Sequence, residues 1–164
     1  MVNTYPGLSA QAKSAREATS PRLRRLTIVI LVLLAAQFLL GMAVNLFVTI
    51  PTNHPGARPP EYFSGVFQSV KWAVTSLSSP LWLLLHASLG LALVVFALAL
   101  LLSAIIARKG GWIVVAIIGF IGVLGAGFNG GSFLNYNEDF SSMLMAVGFI
   151  LAMLTYSLGL ARGK

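Results

Sequence analysis

Four stretches of this chain, residues 26–50, 80–107, 112–128 and 140–161, are almost wholly apolar. Their lengths bracket the roughly 20 residues an α-helix needs to cross the ~30 Å hydrocarbon core of a bilayer. Backbone N–H and C=O groups find no water there, so each stretch must satisfy them internally, and a helix does so within one segment. Composition points the same way. Apolar residues make up 57% of the 164 and charged residues 9%, against about 45–50% and about 25% in a soluble domain. The mean hydropathy is +0.87. So little charge cannot cover a water-facing surface, which excludes a soluble enzyme, a secreted disulfide scaffold and a disordered tail. There is no cysteine. Disulfides, thiolate metal sites, cysteine nucleophiles and iron–sulfur ligation are therefore excluded as well.

The net charge is +7, which in isolation would suggest nucleic acid. The placement of the cations suggests a membrane instead. Lys13, Arg16, Arg22, Arg24 and Arg25 precede the first apolar stretch, Arg108 and Lys109 separate the second from the third, and Arg162 and Lys164 follow the fourth. With four spans, nine of the eleven cations fall on one side. By the positive-inside rule that side is the cytoplasm. The other side holds Arg58 and Lys71 with Glu61, Glu138 and Asp139. The expectation is a multi-pass protein of the cell membrane with both termini cytoplasmic, whose partner is the lipid bilayer and not nucleic acid.

Residues 1–25 read as a basic cytoplasmic tail and residues 26–164 as a four-span transmembrane domain. The first span is too long for a signal-peptide core and is expected to stay as an uncleaved anchor. Residues 51–60 carry four prolines and cannot be helical. From 61 to 78 the pattern changes: Tyr62, Phe63, Val66, Phe67, Val70, Val74 and Leu77 recur at helical spacing among polar residues. This predicts a short amphipathic helix on the outer membrane surface, its aromatic face in lipid or against the bundle. Lys109-Gly110-Gly111 predicts a tight turn, and residues 129–139 an outer loop. The fold class is then an all-α integral membrane protein, an up-down-up-down four-helix bundle with an interfacial helix between spans one and two.

Helices in lipid associate by close packing of small residues rather than by hydrophobic burial. The third span offers Ala116, Gly119, Gly122 and Gly125, the fourth Gly148, Ala152, Thr155 and Gly159, and the first Gln37, Gly41 and Asn45 on one face. These stripes are expected to turn inward. The stripe of Gly119, Gly122 and Gly125 would alternatively serve a homo-oligomer or a second membrane protein.

One ionisable residue, His86, lies within a span, and such groups are costly in lipid. Gly90, one turn on, would leave space beside the imidazole. Asn45, Asn129, Asn137, Glu138, Asp139 and the loop residue His54 gather at the same, outer end of the spans. They form a candidate ligand-binding pocket around His86, also the candidate metal ligand if there is one. Each also has a plain structural role: His86 as an interhelical hydrogen-bond partner of Asn45 or of a carbonyl, the Asn137–Asp139 run as helix caps, Asn129-Gly130-Gly131 as a turn, and His54 as a loop residue. No P-loop, nucleophile elbow, dinucleotide fingerprint or His-x-x-His spacing is present, and Ser88 is too close in sequence to share a helix face with His86. These features favour a non-enzymatic membrane module, an accessory subunit or ligand-binding protein with no catalytic residue. The rival class is a membrane redox protein that takes haem or quinone through His86.

Overall fold

The computed structural model describes residues 20–162, so most of the basic tail, with Lys13 and Arg16, and Lys164 at the other terminus lie outside it. The described residues form five helices and no strand: α1 (Pro21–Phe47), α2 (Tyr62–Thr75), α3 (Leu81–Ile106), α4 (Gly110–Tyr136) and α5 (Asp139–Arg162). The four longer ones, α1, α3, α4 and α5, are long and apolar enough to cross a membrane.

α1 begins earlier than the apolar stretch, taking in Arg22, Arg24 and Arg25. Pro21 in its first turn costs no hydrogen bond there. The helix stops at Phe47, short of the expected 50. Val48, Thr49 and Ile50 are β-branched, and Ile50 precedes Pro51, whose ring disfavours helical geometry before it. Leu23, Thr27, Ile30 and Leu34 are buried at spacings of four, three and four, a single stripe along the helix.

α2 occupies 62–75 of the expected 61–78. Glu61 caps it, its carboxylate accepting from the amides of Phe63 (3.0 Å) and Ser64 (2.6 Å). The face it buries consists of Gly65, Val66, Ser69, Trp72 and Ala73. Two aromatic residues on the other side stand out: Phe63 is 58% and Phe67 65% exposed. Gly65, Ser69 and Ala73 on the buried face let α4 meet α2 closely. A methyl group placed on Gly131 of α4 would lie 2.6 Å from Val66 Cγ1.

Two expected turns differ. Between α3 and α4 the chain reverses at residues 107–109, with Arg108 in the left-handed region at φ 51°. The Lys109 amide donates to Ala104 O at 3.3 Å and the Arg108 amide to Ile105 O at 3.0 Å, closing the last turn of α3 in the usual manner of a left-handed C-terminal residue. Gly110 and Gly111 thus open α4 rather than form the turn. At its far end α4 continues eight residues beyond the expected 128, through Asn129-Gly130-Gly131. That segment is helical because the glycines are packing positions: Gly131 faces Val66, and Gly130 faces Met145 Sδ. Asn137, left-handed at φ 54°, ends the helix, its amide donating to Phe133 O at 2.7 Å.

α4 packs most extensively on α5; α1 lies on α3 and touches α5, and α2 bridges α3 and α4. The α4–α5 seam is built of small residues. A methyl on Gly122 would lie 2.8 Å from Ala152 N and Gly148 O, and one on Gly148 would lie 2.7 Å from Ala126 N. Gly119 faces the Tyr156 ring and Gly159 faces Val115, so residue numbers fall along α5 as they rise along α4. The inward residue after Ala152 is Tyr156, not the expected Thr155. Gly119 and Gly122 are thereby filled from within the chain, whereas Gly125 has open space where a side chain would stand.

Candidate functional site

His86 lies one and a half turns into α3 and is half-buried against α1. Its Nε2 is 3.2 Å from the side-chain nitrogen of Gln37. The two side chains are seated reciprocally. A methyl on Gly41 of α1 would come within 3.1 Å of His86 Cε1, and one on Gly90 of α3 within 3.3 Å of Gln37 Nε2. Gly90 therefore makes room for the glutamine, and Gly41 for the imidazole that Gly90 was expected to accommodate. Two atoms of the pair, Gln37 Oε1 and His86 Nδ1, are buried without a hydrogen-bond partner. A neutral imidazole that accepts at Nε2 carries its proton on Nδ1. The pair thus presents one unused donor and one unused acceptor between α1 and α3.

The other expected site residues are exposed or half-buried, with one exception. Asn45 is exposed, two turns beyond Gln37. Asn129 is half-buried, and its side-chain amide donates back to Gly125 O at 2.8 Å. Asn137, Glu138 and Asp139 are exposed at the α4–α5 connection, where the Glu138 carbonyl accepts from the Ser141 amide at 3.0 Å.

His54 is the exception, being only 7% exposed. Its ring stacks on Trp72 with centroids 4.4 Å apart and an interplanar angle of 13°. Nδ1 is 2.8 Å from Pro55 O and Nε2 is 3.0 Å from Leu134 O. The imidazole thus ties the segment before α2 to the end of α4. Beside it, the Asn135 side chain lies 2.6 Å from the Ser69 hydroxyl, which reaches Pro55 O at 3.4 Å. The carbonyls of Gly56, Gly65 and Gly131 surround the Asn135 amide nitrogen at 3.1–3.2 Å, and its oxygen faces the Val66 amide. Its backbone carbonyl accepts from the Arg58 amide at 2.9 Å. Gly56 is at φ 88°, and a methyl there would lie 2.5 Å from Gly65 O. Asn135, Ser69 and Trp72 thus join His54 in a buried polar knot that is nearly fully satisfied.

Sequence reasoning passed over these last three as a set, although Gly65, Ser69 and Trp72 recur at helical spacing on α2. The small-residue rule applied to the long spans would have marked that face as the packing face. Tyr156 was also passed over. It is fully buried in the α4–α5 seam, and its hydroxyl has no partner. Among the described residues, no three His, Asp or Glu side chains come together in a geometry that would hold a metal ion. No family model, no curated protein and no solved structure matches the chain.

Proposed function

We propose that this chain is a small non-enzymatic integral membrane protein, an accessory subunit or ligand-binding module, with its polar centre at Gln37 and His86 in the outer half of the membrane. Its four long helices cross in up-down-up-down order with both termini cytoplasmic, and α2 lies along the outer interface. The arrangement of cations supports this orientation. The connections support the order: three residues join α3 to α4 and two join α4 to α5, too few for anything but neighbouring antiparallel helices. Tyr62 and Tyr136 stack at 6.4 Å, and Phe63 meets Phe128 edge-on at the same distance. Such a group of exposed aromatic side chains suits the headgroup region.

The observation that carries the reading is the use made of polar groups inside the long helices. Gln37 and His86 face each other, and Thr27 donates to Leu23 O. The first joins two helices and the second satisfies a hydroxyl within its own helix, and neither has the nucleophile–base–orienter geometry of a catalytic site. Alkaline extraction followed by a visible spectrum of the detergent-purified protein tests it. The expected result is a chain that stays with the membrane and is colourless.

The unused Nδ1 of His86 and Oε1 of Gln37 favour one second reading, a redox protein that binds quinone there. A quinone offers carbonyl acceptors to a ring N–H, and its reduced form offers hydroxyl donors to an amide oxygen. Haem is less well accommodated, because His86 Nε2 already faces Gln37. Endogenous quinone co-purifying with the wild type and lost in His86→Leu would establish this second reading, and a Soret band lost in His86→Ala would establish the haem version. Either result would displace the first reading.

A further inference from the structure

We propose that the end of the bundle where α1 and α4 begin is a docking surface for the phosphate headgroups of anionic phospholipids. The proposal rests on the membrane reading above and adds a ligand class to it. Gln37 meets Gly90 and Gly41 meets His86, an antiparallel register. Carried back along α1, that register sets Leu23 level with Ala104, and both belong to one buried cluster with Trp112 and Val115 at the start of α4. Gly159 near the end of α5 faces Val115 and Trp112. The terminal turns of four helices therefore share one end.

That end carries Arg22, Arg24, Arg25, Arg108, Lys109 and Arg162, and none of the described acids, Glu61, Glu138 and Asp139, lies in those turns. All five arginines are exposed. At the starts of α1 and α4 the charge is also placed against the local field, whereas Arg108 follows the end of α3 and Arg162 closes α5, where a cation suits the dipole. α1 begins at Ser20 with no side-chain cap and no acid in its first turn, and α4 begins the same way at Lys109. Cations there oppose the helix dipole, and Arg22 and Arg25, three residues apart, repel one another. By contrast, Glu61 caps α2, and Asp139 lies in the first turn of α5. A dense patch of one sign, set at the ends of membrane-length helices, is complementary to phosphate at the headgroup level. Arginine's planar fork pairs with phosphate in two hydrogen bonds, which a lysine point charge cannot do.

The test uses the full chain in mild detergent, titrated with phosphatidylglycerol or phosphatidylcholine and read by native mass spectrometry and by thermal shift. Phosphatidylglycerol should bind more tightly and raise the melting temperature more, with the preference shrinking at high salt. Each arginine removed should lower the preference by about five-fold, so R22Q/R24Q/R25Q/R108Q should abolish it while R58Q/K71Q retains it. Equal binding of the two lipids, a preference insensitive to salt, or full preference in the quadruple variant would overturn the proposal. So would a tighter hold on short duplex DNA than on either lipid. Should the quadruple variant fail to fold, the salt titration of the wild type decides. Binding of neither lipid, together with loss from membranes on alkaline extraction, would instead overturn the membrane reading itself.

Discussion

Gln37 on α1 and His86 on α3 face each other at 3.2 Å, and each rests over a glycine of the helix opposite, His86 over Gly41 and Gln37 over Gly90. A methyl group at either crossing would crowd the facing side chain, which would have to give by a few tenths of an ångström. If the pair holds α1 to α3, Gln37→Leu and His86→Leu should each destabilise the protein by about 0.6–2 kcal/mol, and the double variant by less than their sum. Reversible unfolding in mixed micelles gives all three values. Strictly additive losses would show that the two side chains do not interact.

The α4–α5 seam provides a contrast between glycines. Gly122→Ala and Gly148→Ala put a methyl within 2.8 Å of backbone atoms of the facing helix, so each should cost roughly 1–3 kcal/mol as the helices are forced apart. Gly125→Ala, with nothing within 4 Å, should be neutral or slightly stabilising, because alanine is the better helix former. Melting temperatures of the three variants settle the matter. An unstable Gly125→Ala protein would point to a packing surface that the single chain does not contain.

Tyr156 predicts a gain. Its hydroxyl is buried with no partner, and an unmade hydrogen bond costs about 1–3 kcal/mol of desolvation. Tyr156→Phe should therefore leave the melting temperature unchanged or raise it. A fall would show that the hydroxyl has a partner in the membrane-embedded protein.

The knot around Asn135 should be the most sensitive polar site. Asn135→Leu strips the carbonyls of Gly56, Gly65 and Gly131 of their shared donor and should cost at least about 2 kcal/mol. Gly56→Ala should also be severe, since φ 88° and the nearby Gly65 carbonyl both exclude a side chain. Limited proteolysis between residues 48 and 61 reports the loss directly: both variants should be cut faster there than the wild type. Unchanged protection would mean that the segment is held by other contacts.

Orientation can be read by labelling, because the chain has no cysteine of its own. In intact cells Asn137→Cys should react with an impermeant maleimide from outside and Arg108→Cys only after permeabilisation. The reverse pattern would invert the topology, and labelling of both from one side would remove the up-down order.

The long helices were legible because lipid demands runs of apolar residues that are long enough to span and whose backbones satisfy themselves, and composition alone reveals such runs. Ends were less legible. Asn129-Gly130-Gly131 reads as a turn by local propensity, yet Gly131 is where Val66 of α2 packs, and that contact outweighs the preference. Arg108 takes the left-handed position that the neighbouring glycines seemed made for, because the closing hydrogen bonds of α3 fix where the chain reverses. The site divides in the same way. A lone histidine in a span, and glycines and a glutamine on helix faces, are visible in the sequence because each residue type is costly or unusual there. Their pairing is not visible. His86 facing Gln37 rather than Asn45 depends on the register of α1 against α3, and the union of His54 with Trp72, Ser69 and Asn135 depends on which face α2 turns inward. Both are set by close packing between segments distant in sequence. The sequence alone determined that there are four membrane-length helices and where charge could sit, through the energetics of water and lipid. Only the tertiary structure decided which polar groups met, because shape complementarity between helices has no local signature.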